Sequence, residues 1–328
     1  MKKLSSLIAA ALLLAACGAS EDPANQYRDA MPKAGAVQVG TPQTEGTANA
    51  LSVATGALGD SSATQSEYAI MSRNLALTFN GGVGLTLRLV QYITTFRPTS
   101  CDDASCTWGP WVDDDGLNRW KLTVQKVADG EYDYVLAEQP GSNPAAPWVS
   151  IIAGTAYPVD RDHGSGTFTI DFEAQTALDH GPLWQQHDFG HLDVVYDNTH
   201  DVSIAATFLD AKNSDPADPH RLNAAYSFEH AASGGTLQIA FENLDTTEVV
   251  SLRTRWSPGG AGRSDAHYDG PDGGSGRVSY YASECWAGAA QDYAEVYDSK
   301  HTEIPALSDP NACSPYMSAD YADVVLPE

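Results

Sequence analysis

Positive charge is scarce in this sequence. Its 328 residues contain 18 lysines and arginines against 43 aspartates and glutamates. Proteins bind DNA and RNA largely by neutralising phosphates with basic side chains, so this imbalance argues against a nucleic-acid partner. Only 19% of the residues are charged, whereas 28 glycines, 15 tyrosines and 7 tryptophans are present. This composition favours a secreted β-protein, and the chain is long enough for a full hydrophobic core.

Sequence motifs of common catalytic sites are absent. The chain has no Gly-x-Ser-x-Gly elbow, no Ser-x-x-Lys with the other β-lactamase elements, and no glycine-rich phosphate loop. Carboxylate pairs of the glycosidase type are uninformative, because 43 acids place some pair at a suitable distance in any fold. An enzymatic activity stays open, but the sequence favours a non-enzymatic protein without a cofactor.

Beyond the N-terminus the chain has no long apolar run. Lys2 and Lys3 precede the apolar segment Leu7 to Leu14, which is too short to span a membrane and has the form of a signal peptide. The sequence Leu14-Ala15-Ala16-Cys17 resembles the lipobox of bacterial lipoproteins, which are cleaved before a cysteine that is then acylated. An ordinary secretory signal is the alternative.

The lipobox resemblance has three implications. Residues 1–16 are a signal peptide, whose removal changes the formal charge from −25 to −27. Cys17 carries the lipid anchor, so the membrane is a partner. In the enterobacterial sorting pattern an aspartate after the cysteine retains a lipoprotein in the inner membrane. Gly18 therefore implies the outer membrane, on its periplasmic or cell-surface side.

Residues 17–62 contain few large apolar side chains. Such a composition cannot offset the entropy lost on ordering, so we expect a flexible tether with a span of about 35 to 40 Å. A single β-rich domain is expected over residues 63–328, with a helical segment at 66–97, strands from about 106 to 298, and an irregular C-terminal tail.

The helical segment has an apolar stripe. Its members are Tyr68, Met71, Leu75, Leu85, Leu89, Tyr92 and Phe96. Asn80-Gly81-Gly82 interrupts the pattern and Pro98 ends it, which predicts two helices or one broken helix. We expect the stripe to lie buried on a sheet. Arg88 and the short length exclude a membrane span over 85–96.

After Cys106 the apolar residues alternate with period two, and turn signals close each run. Ala128-Asp129-Gly130 and Ser233-Gly234-Gly235 are two such turns. Short connections without crossover helices require antiparallel pairing, so ten to twelve strands in up-and-down order are expected. A sheet of that size curls, closes or splits into two layers. We expect a large curved, half-barrel-like sheet packed on the helical segment, with a β-sandwich as the alternative.

This outline resembles the half-barrel lipoprotein carriers of the bacterial envelope. The likeness is one of architecture, and it implies binding of an apolar ligand or of an envelope protein. The chain also resembles uncharacterised secreted lipoproteins typical of myxobacteria. The segments that carry this second resemblance are the lipobox, residues 98–101 and 106–111, Arg255-Trp256-Ser257-Pro258 with Gly262-Arg263, and Ser283-Glu284-Cys285-Trp286. It implies secretion and a β-rich fold, without an activity.

Four cysteines remain after Cys17, namely Cys101, Cys106, Cys285 and Cys313. An even number suits disulfides in an oxidising compartment. Of the three possible connectivities, we predict Cys101 with Cys106 and Cys285 with Cys313, because each pair closes a local loop. The Cys101 to Cys106 spacing without a second such pair disfavours zinc.

One cluster of metal-binding residue types is present, at 179–201. It contains His180, His187, His191, His200, Asp179, Asp188, Asp193 and Asp201. His187 and His191 are the candidate ligands of a metal-dependent hydrolase, which is the alternative function. A His-rich polar loop is favoured, because Gly190 and the following alternation place the pair at a loop-to-strand junction, where helical spacing has no meaning. The acidic turns at 113–116 and 269–274 suit either a loose calcium site or tight turns.

Overall fold

The computed structural model describes residues 22–41, 66–113, 116–176, 178, 189–212, 220–287, 291–298, 313–321 and 326. The helices are α1 (Ala24–Ala30), a 3-10 turn (Ala34–Val37), α2 (Glu67–Thr95) and α3 (Phe172–Thr176). The strands are β1 (Ser100–Cys101), β2 (Ser105–Val112), β3 (Asn118–Ala128), β4 (Glu131–Pro140), β5 (Val149–Pro158), β6 (Gly164–Asp171), β7 (Phe189–Asp197), β8 (Val202–Lys212), β9 (Arg221–Ala231), β10 (Gly234–Asn243), β11 (Glu248–Trp256), β12 (Gly262–Pro271), β13 (Arg277–Ala287) and β14 (Gln291–Asp298).

All fourteen strands form one sheet, and each strand is hydrogen-bonded to its neighbours in sequence. The pairing is antiparallel from β1 and β2 to β13 and β14. Within the described strands β1 and β14 are the two edges, so the sheet is open. The predicted up-and-down antiparallel sheet is confirmed, with fourteen strands where the alternation predicts ten to twelve, and the β-sandwich alternative is not adopted.

The sheet curves around α2, and the two ends of this helix contact strands near opposite edges of the sheet. At one end the Ser66 hydroxyl donates to the Glu284 carboxylate on β13, and at the other Trp108 Nε1 on β2 donates to the Phe96 carbonyl at 3.0 Å. Residues 66–96 measure about 45 Å along a helix axis. The eleven strand spacings from β2 to β13 measure about 53 Å along the sheet. Because the helix is shorter than the width of the sheet between β2 and β13, the sheet must bend towards the helix for both ends to make contact.

The face of α2 that packs on the sheet is not the predicted stripe. The buried residues on this face are Ala69, Ser72, Ala76, Phe79, Val83, Leu87, Val90, Ile93 and Thr94. Leu87 is 0% exposed, whereas Leu89 is 51% and Tyr92 is 62% exposed. The predicted burial of the stripe is therefore wrong for Leu89 and Tyr92, and also for Met71 and Phe96, which are exposed. Small residues in the first half of the buried face let the helix approach the sheet closely, and the Phe79 ring stacks on Tyr226 with centroids 4.7 Å apart. The Leu85 side chain lies outside the described residues.

Asn80-Gly81-Gly82 does not break α2, which is one helix from Glu67 to Thr95. The Asn80 side chain binds the chain near the N-terminus instead. Its Oδ1 accepts from the Val39 backbone N–H at 2.8 Å, and its Nδ2 donates to the Val39 carbonyl at 2.9 Å. The asparagine that suggested a turn thus pairs with a second backbone segment while staying helical.

Residues 22–41 pack into the hollow of the sheet. Tyr27, Met31, Val37 and Val39 are buried in the same core as α2 and the strands. The Tyr27 hydroxyl donates to the Asp102 carbonyl at 2.9 Å. The prediction of a tether is therefore wrong for this segment, because the sheet and α2 supply the apolar surface that its own few large side chains lack. Residues 42–62 of the predicted tether lie outside the described part of the chain.

Two glycines on the concave face make room for tyrosines on neighbouring strands. Gly154 lies opposite Tyr134, and Gly166 lies opposite Tyr196. A Cβ atom at these glycines would come within 2.6 Å of the Tyr134 hydroxyl and 2.8 Å of the Tyr196 hydroxyl. Each tyrosine ring therefore lies across the adjacent strand, a device that suits a strongly curved sheet.

Candidate functional site

The concave face of the sheet is packed with side chains of this chain. Tyr134, Phe168 and Phe228 are buried from the strands, and Tyr27 and Leu87 are buried against them from α1 and α2. These residues belong to one continuous apolar cluster. The place where a half-barrel carrier would hold its ligand is thus occupied by the protein's own helices.

A small pocket lies between residues 29–36 and the β5–β6 loop. Its volume of about 20 Å³ is enough for one water molecule and too small for an organic ligand. Lys33 lines it and donates to the Arg28 carbonyl at 3.0 Å, and burial lowers the pKa of the Lys33 ammonium. Asp160 accepts the backbone N–H groups of Asp162 and His163, both at 2.8 Å. The polar groups here close a loop rather than present a binding site.

An exposed aromatic cluster lies where the C-terminal end of α2 meets the β2–β3 hairpin. Tyr92, Phe96, Trp111 and Trp120 form this cluster, the aromatic patch. The ring centroids are 5.1 Å apart for Tyr92 and Phe96, 5.8 Å for Phe96 and Trp111, and 4.7 Å for Trp111 and Trp120. Both tryptophans are half-buried against the core, whereas Tyr92 and Phe96 are exposed. Contiguous exposed aromatic surface of this kind is typical of an interaction site.

Arginines flank the aromatic patch in this acidic chain. Arg88 lies one helical turn before Tyr92, and Arg97 directly follows Phe96; both arginines are exposed. Leu89 extends the apolar surface along α2 between them. The surface therefore combines open aromatic rings with positive charge, a combination that suits an apolar partner with a negatively charged border.

Arg28 fastens the start of the described chain beside the aromatic patch. Its Nε donates to the Thr94 carbonyl at 2.8 Å, and its Nη2 donates to the Phe96 carbonyl at 3.3 Å. Its Nη1 donates to the Asp22 carboxylate at 2.7 Å, which holds the pKa of Asp22 below its usual value. The chain thus enters the domain at the edge of this patch.

No protein-family model matches this chain. The comparisons with curated proteins and with solved structures also found no match.

Four members of the predicted cluster lie in the described part of the chain, namely His191, Asp193, His200 and Asp201. His191 is on β7, with its Nε2 3.4 Å from the Asp193 carboxylate, and Asp193 also accepts from the Thr169 hydroxyl. His200 is in the turn beyond the other end of β7. Asp179, His180, His187 and Asp188 lie outside the described residues. Among the residues that are described, no group of three or more His, Cys, Asp or Glu could hold a metal ion.

One carboxylate in each acidic turn binds backbone N–H groups, whereas Asp269 pairs with Arg277, and Asp114 and Asp115 lie outside the described residues. Asp113 accepts from the Asn118 N–H at 3.0 Å and 2.9 Å through its two oxygens. Asp272 accepts from the N–H groups of Gly274 at 2.7 Å and Gly276 at 3.1 Å. These contacts favour the tight-turn interpretation over calcium.

The cysteines lie in the predicted pairs. Cys101 is opposite Cys106 across β1 and β2, and Cys285 on β13 is beside Cys313, both pairs at disulfide distance. The second pair holds residues 313–321 against the outer face of β11–β13. Cys17 lies outside the described residues.

A buried charge network under this C-terminal segment has no counterpart in the sequence predictions. Asp265 Oδ1 accepts from Arg263 Nε and from the Ser283 hydroxyl, both at 2.6 Å. Its Oδ2 accepts from Arg255 Nη2 at 2.9 Å and from the Asp320 N–H at 3.0 Å. In sequence, the charges of Arg263 and Asp265 on β12 are typical of an exposed strand face. They are buried because residues 313–321 cover them. Four internal donors bind this carboxylate, which indicates a structural role.

Proposed function

We propose that this protein is a non-enzymatic lipoprotein of the bacterial outer membrane that acts through its outer surface. Its role is structural or in interaction with an envelope partner. The packing of residues 24–39 and α2 into the concave face is the observation that carries the proposal. The lipobox-like sequence ending at Cys17, followed by Gly18, supports the anchor and its membrane.

The filled concave face argues against a carrier of apolar ligands. Ligand sites are clefts of about 300 Å³ or more with a largely preformed wall. A ligand between α2 and the sheet would have to displace residues such as Phe79, Leu87 and Val90, which are buried in the core. A partner that binds the outer face of the molecule, where the aromatic patch lies, displaces no core residues.

The metal-dependent hydrolase is the alternative, and it depends on His187 and His191. His191 is half-exposed on β7 and has one carboxylate, Asp193, near its ring. Elemental analysis of the purified chain tests it. We expect no stoichiometric transition metal; one metal per chain that disappears in the variant His187→Ala plus His191→Ala would replace the proposed function by this alternative.

Radiolabelled palmitate incorporation tests the anchor. The wild-type chain expressed in a Gram-negative host should take up label and fractionate with the outer membrane. Cys17→Ser should take up none, whereas Cys101→Ser, which changes a cysteine outside the lipobox, should keep the label. Label on the Cys17→Ser chain, or none on the wild type, would exclude acylation at Cys17.

An environment-sensitive apolar dye tests the interior. We expect the native chain to show no saturable dye binding of one molecule per chain. Saturable binding that Leu87→Ala alters and Leu89→Ala leaves unchanged would identify an internal ligand site and overturn the proposed mode of action.

A further inference from the structure

We propose that the aromatic patch rests on the lipid surface into which Cys17 is anchored, as a second membrane contact of the domain. This inference rests on the proposed acylation of Cys17, because that lipid anchor is what would bring the patch close to the membrane. The patch, the point where the chain enters the domain, and the length of chain between them carry it.

The described chain begins beside the aromatic patch. Arg28 contacts the Asp22 carboxylate and the Phe96 carbonyl with two nitrogens of one guanidinium group, at 2.7 Å and 3.3 Å. Phe96 is the residue of the patch nearest to this clamp. The anchoring segment therefore enters the domain at the patch and not at the opposite side of the sheet.

Four residues lie between Cys17 and Asp22, so the two are five chain steps apart. A fully extended chain of that length spans at most about 18 Å. A tether of 45 residues would have let the domain stand clear of the membrane, but residues 22–41 are part of the folded core and do not lengthen the connection. An acylated Cys17 therefore keeps the surface around Asp22 close to the lipid headgroups.

The patch has the side chains that membrane interfaces favour. Tyrosine and tryptophan are enriched there because their rings are apolar and their hydroxyl or indole N–H stays hydrated. Tyr92 and Phe96 are the exposed members, and Leu89 adds an apolar side chain beside them. Arg88 and Arg97 border the rings and suit lipid phosphates. Among the described helices none has the length and apolar character of a membrane span.

Net charge orients the molecule on such a surface. With 43 acidic residues against 18 basic ones, most of the protein is repelled by an anionic headgroup layer. Arg88 and Arg97 give this face two exposed cations that suit headgroup phosphates, and the exposed Asp22 carboxylate lies on the same face. The patch thus contributes orientation more than affinity, since the acyl chains supply the attachment.

Quenching of tryptophan fluorescence by bromine-labelled lipid tests the contact in the acylated protein. The wild-type chain is reconstituted into phosphatidylcholine vesicles with brominated acyl chains. Trp111→Phe plus Trp120→Phe should remove most of the lipid-dependent quenching. The matched control is Trp148→Phe. Trp148 lies against Lys121, with the ammonium 4.4 Å from the ring centroid, and Lys121 points to the opposite face of β3 from Trp120. This control should leave the quenching unchanged.

Vesicle binding by the unacylated chain tests the patch apart from the anchor. Residues 17–328 with Cys17→Ser are sedimented with vesicles of phosphatidylethanolamine containing a minority of phosphatidylglycerol. Adding Tyr92→Ser and Phe96→Ser should lower the partition coefficient at least about tenfold, because two exposed aromatic rings no longer enter the interface. Tyr157→Ser, a change at another exposed tyrosine, should have no effect. Equal melting temperatures of the variants exclude unfolding as the cause.

The outcomes separate this inference from the proposed function. Palmitate on Cys17 without lipid quenching of Trp111 and Trp120 keeps the anchor and overturns the membrane contact. Patch-dependent vesicle binding by the Cys17→Ser chain, with no palmitate on the wild type, keeps the contact and overturns the anchor. Loss of binding to soluble peptidoglycan fragments in the Tyr92→Ser plus Phe96→Ser variant, with vesicle binding unchanged, would make the patch a sugar platform and overturn the lipid assignment.

Discussion

Leu87 and Leu89 are two positions apart on α2 and lie in opposite environments. Leu87 is fully buried against the sheet, and Leu89 is half-exposed. Leu87→Ala should lower the free energy of unfolding by about 2 to 5 kcal/mol, because it removes buried methyl groups and leaves a cavity. Leu89→Ala should change it by less than about 0.5 kcal/mol. Urea denaturation of the two variants measures the difference, and equal losses would contradict the helix orientation described above.

Asp265 and Asp269 are both on β12 and both pair with arginine, but only Asp265 is buried. Asp265→Asn leaves Arg263 and Arg255 without their carboxylate in a covered site, so we expect a loss of about 3 to 5 kcal/mol. Asp269→Asn breaks an exposed pair with Arg277 and should cost about 0 to 1 kcal/mol. Thermal and urea denaturation give both values. A small effect at Asp265 would show that residues 313–321 do not seal the site.

Single residues also show where sequence reasoning reaches its limit. The Cys101–Cys106 and Cys285–Cys313 pairs were predictable, because local loops close with little search. The burial of Tyr27 was not, because a lone tyrosine in a segment rich in small residues has no periodic partner. Its packing is decided by side chains from α2 and β4 that are distant in sequence, such as Tyr132, whose ring centroid is 5.9 Å away.

The strands were the most predictable elements. Period-two alternation and turn signals predict the antiparallel sheet and its up-and-down order, and the Gly130 turn between β3 and β4 adopts the positive φ of 75° that only glycine accepts readily. β12 lacks this alternation, because Arg263 and Asp265 occupy positions where a buried strand usually has apolar residues. The orientation of α2 failed for a different reason. Both of its faces carry apolar residues, and the hydrophobic pattern alone does not decide which one meets the sheet.

The C-terminal segment depends on the pair Cys285 and Cys313, which closes a loop with a sequence separation of 28. Replacing both cysteines by serine should cost about 3 to 4 kcal/mol, since the unfolded chain regains the freedom of that loop. The same change at Cys101 and Cys106, with a separation of 5, should cost about 2 kcal/mol. Denaturation in urea without reductant gives the values. A Cys101 to Cys285 peptide in non-reducing mapping would contradict both pairings.

On the scale of the whole molecule, buried tyrosines make stability sensitive to alkali. Burial raises the pKa of Tyr134, Tyr196 and Tyr226 in the folded protein. Their contribution to the free energy of unfolding is fully present below the unfolded pKa of about 10. It is lost as pH rises above that value, because the unfolded chain then binds fewer protons than the native one. Above the unfolded pKa, each of these tyrosines should lower the free energy of unfolding by about 1.4 kcal/mol per pH unit.

Tyr226→Phe provides the control for this alkaline effect. Within the described residues the Tyr226 hydroxyl is buried without a hydrogen-bond partner, so its removal should not lower stability near pH 7. The variant should lose less stability than the wild type between pH 10 and 11. Melting temperatures across pH, together with tyrosinate absorbance, measure both. An identical pH profile would show that Tyr226 ionises freely in the folded state.

The position of α2 sets the order in which the protein assembles. Every strand pairs with the next one along the chain, so the sheet forms from contacts between sequence neighbours, which form quickly. The contact between Ser66 and Glu284, by contrast, joins residues 218 positions apart. Residues 24–95 emerge first from the ribosome, yet the surface that buries them is complete only when β13 exists. We therefore expect the N-terminal helices to be synthesised first and docked last, with the hollow of the sheet exposed until they arrive.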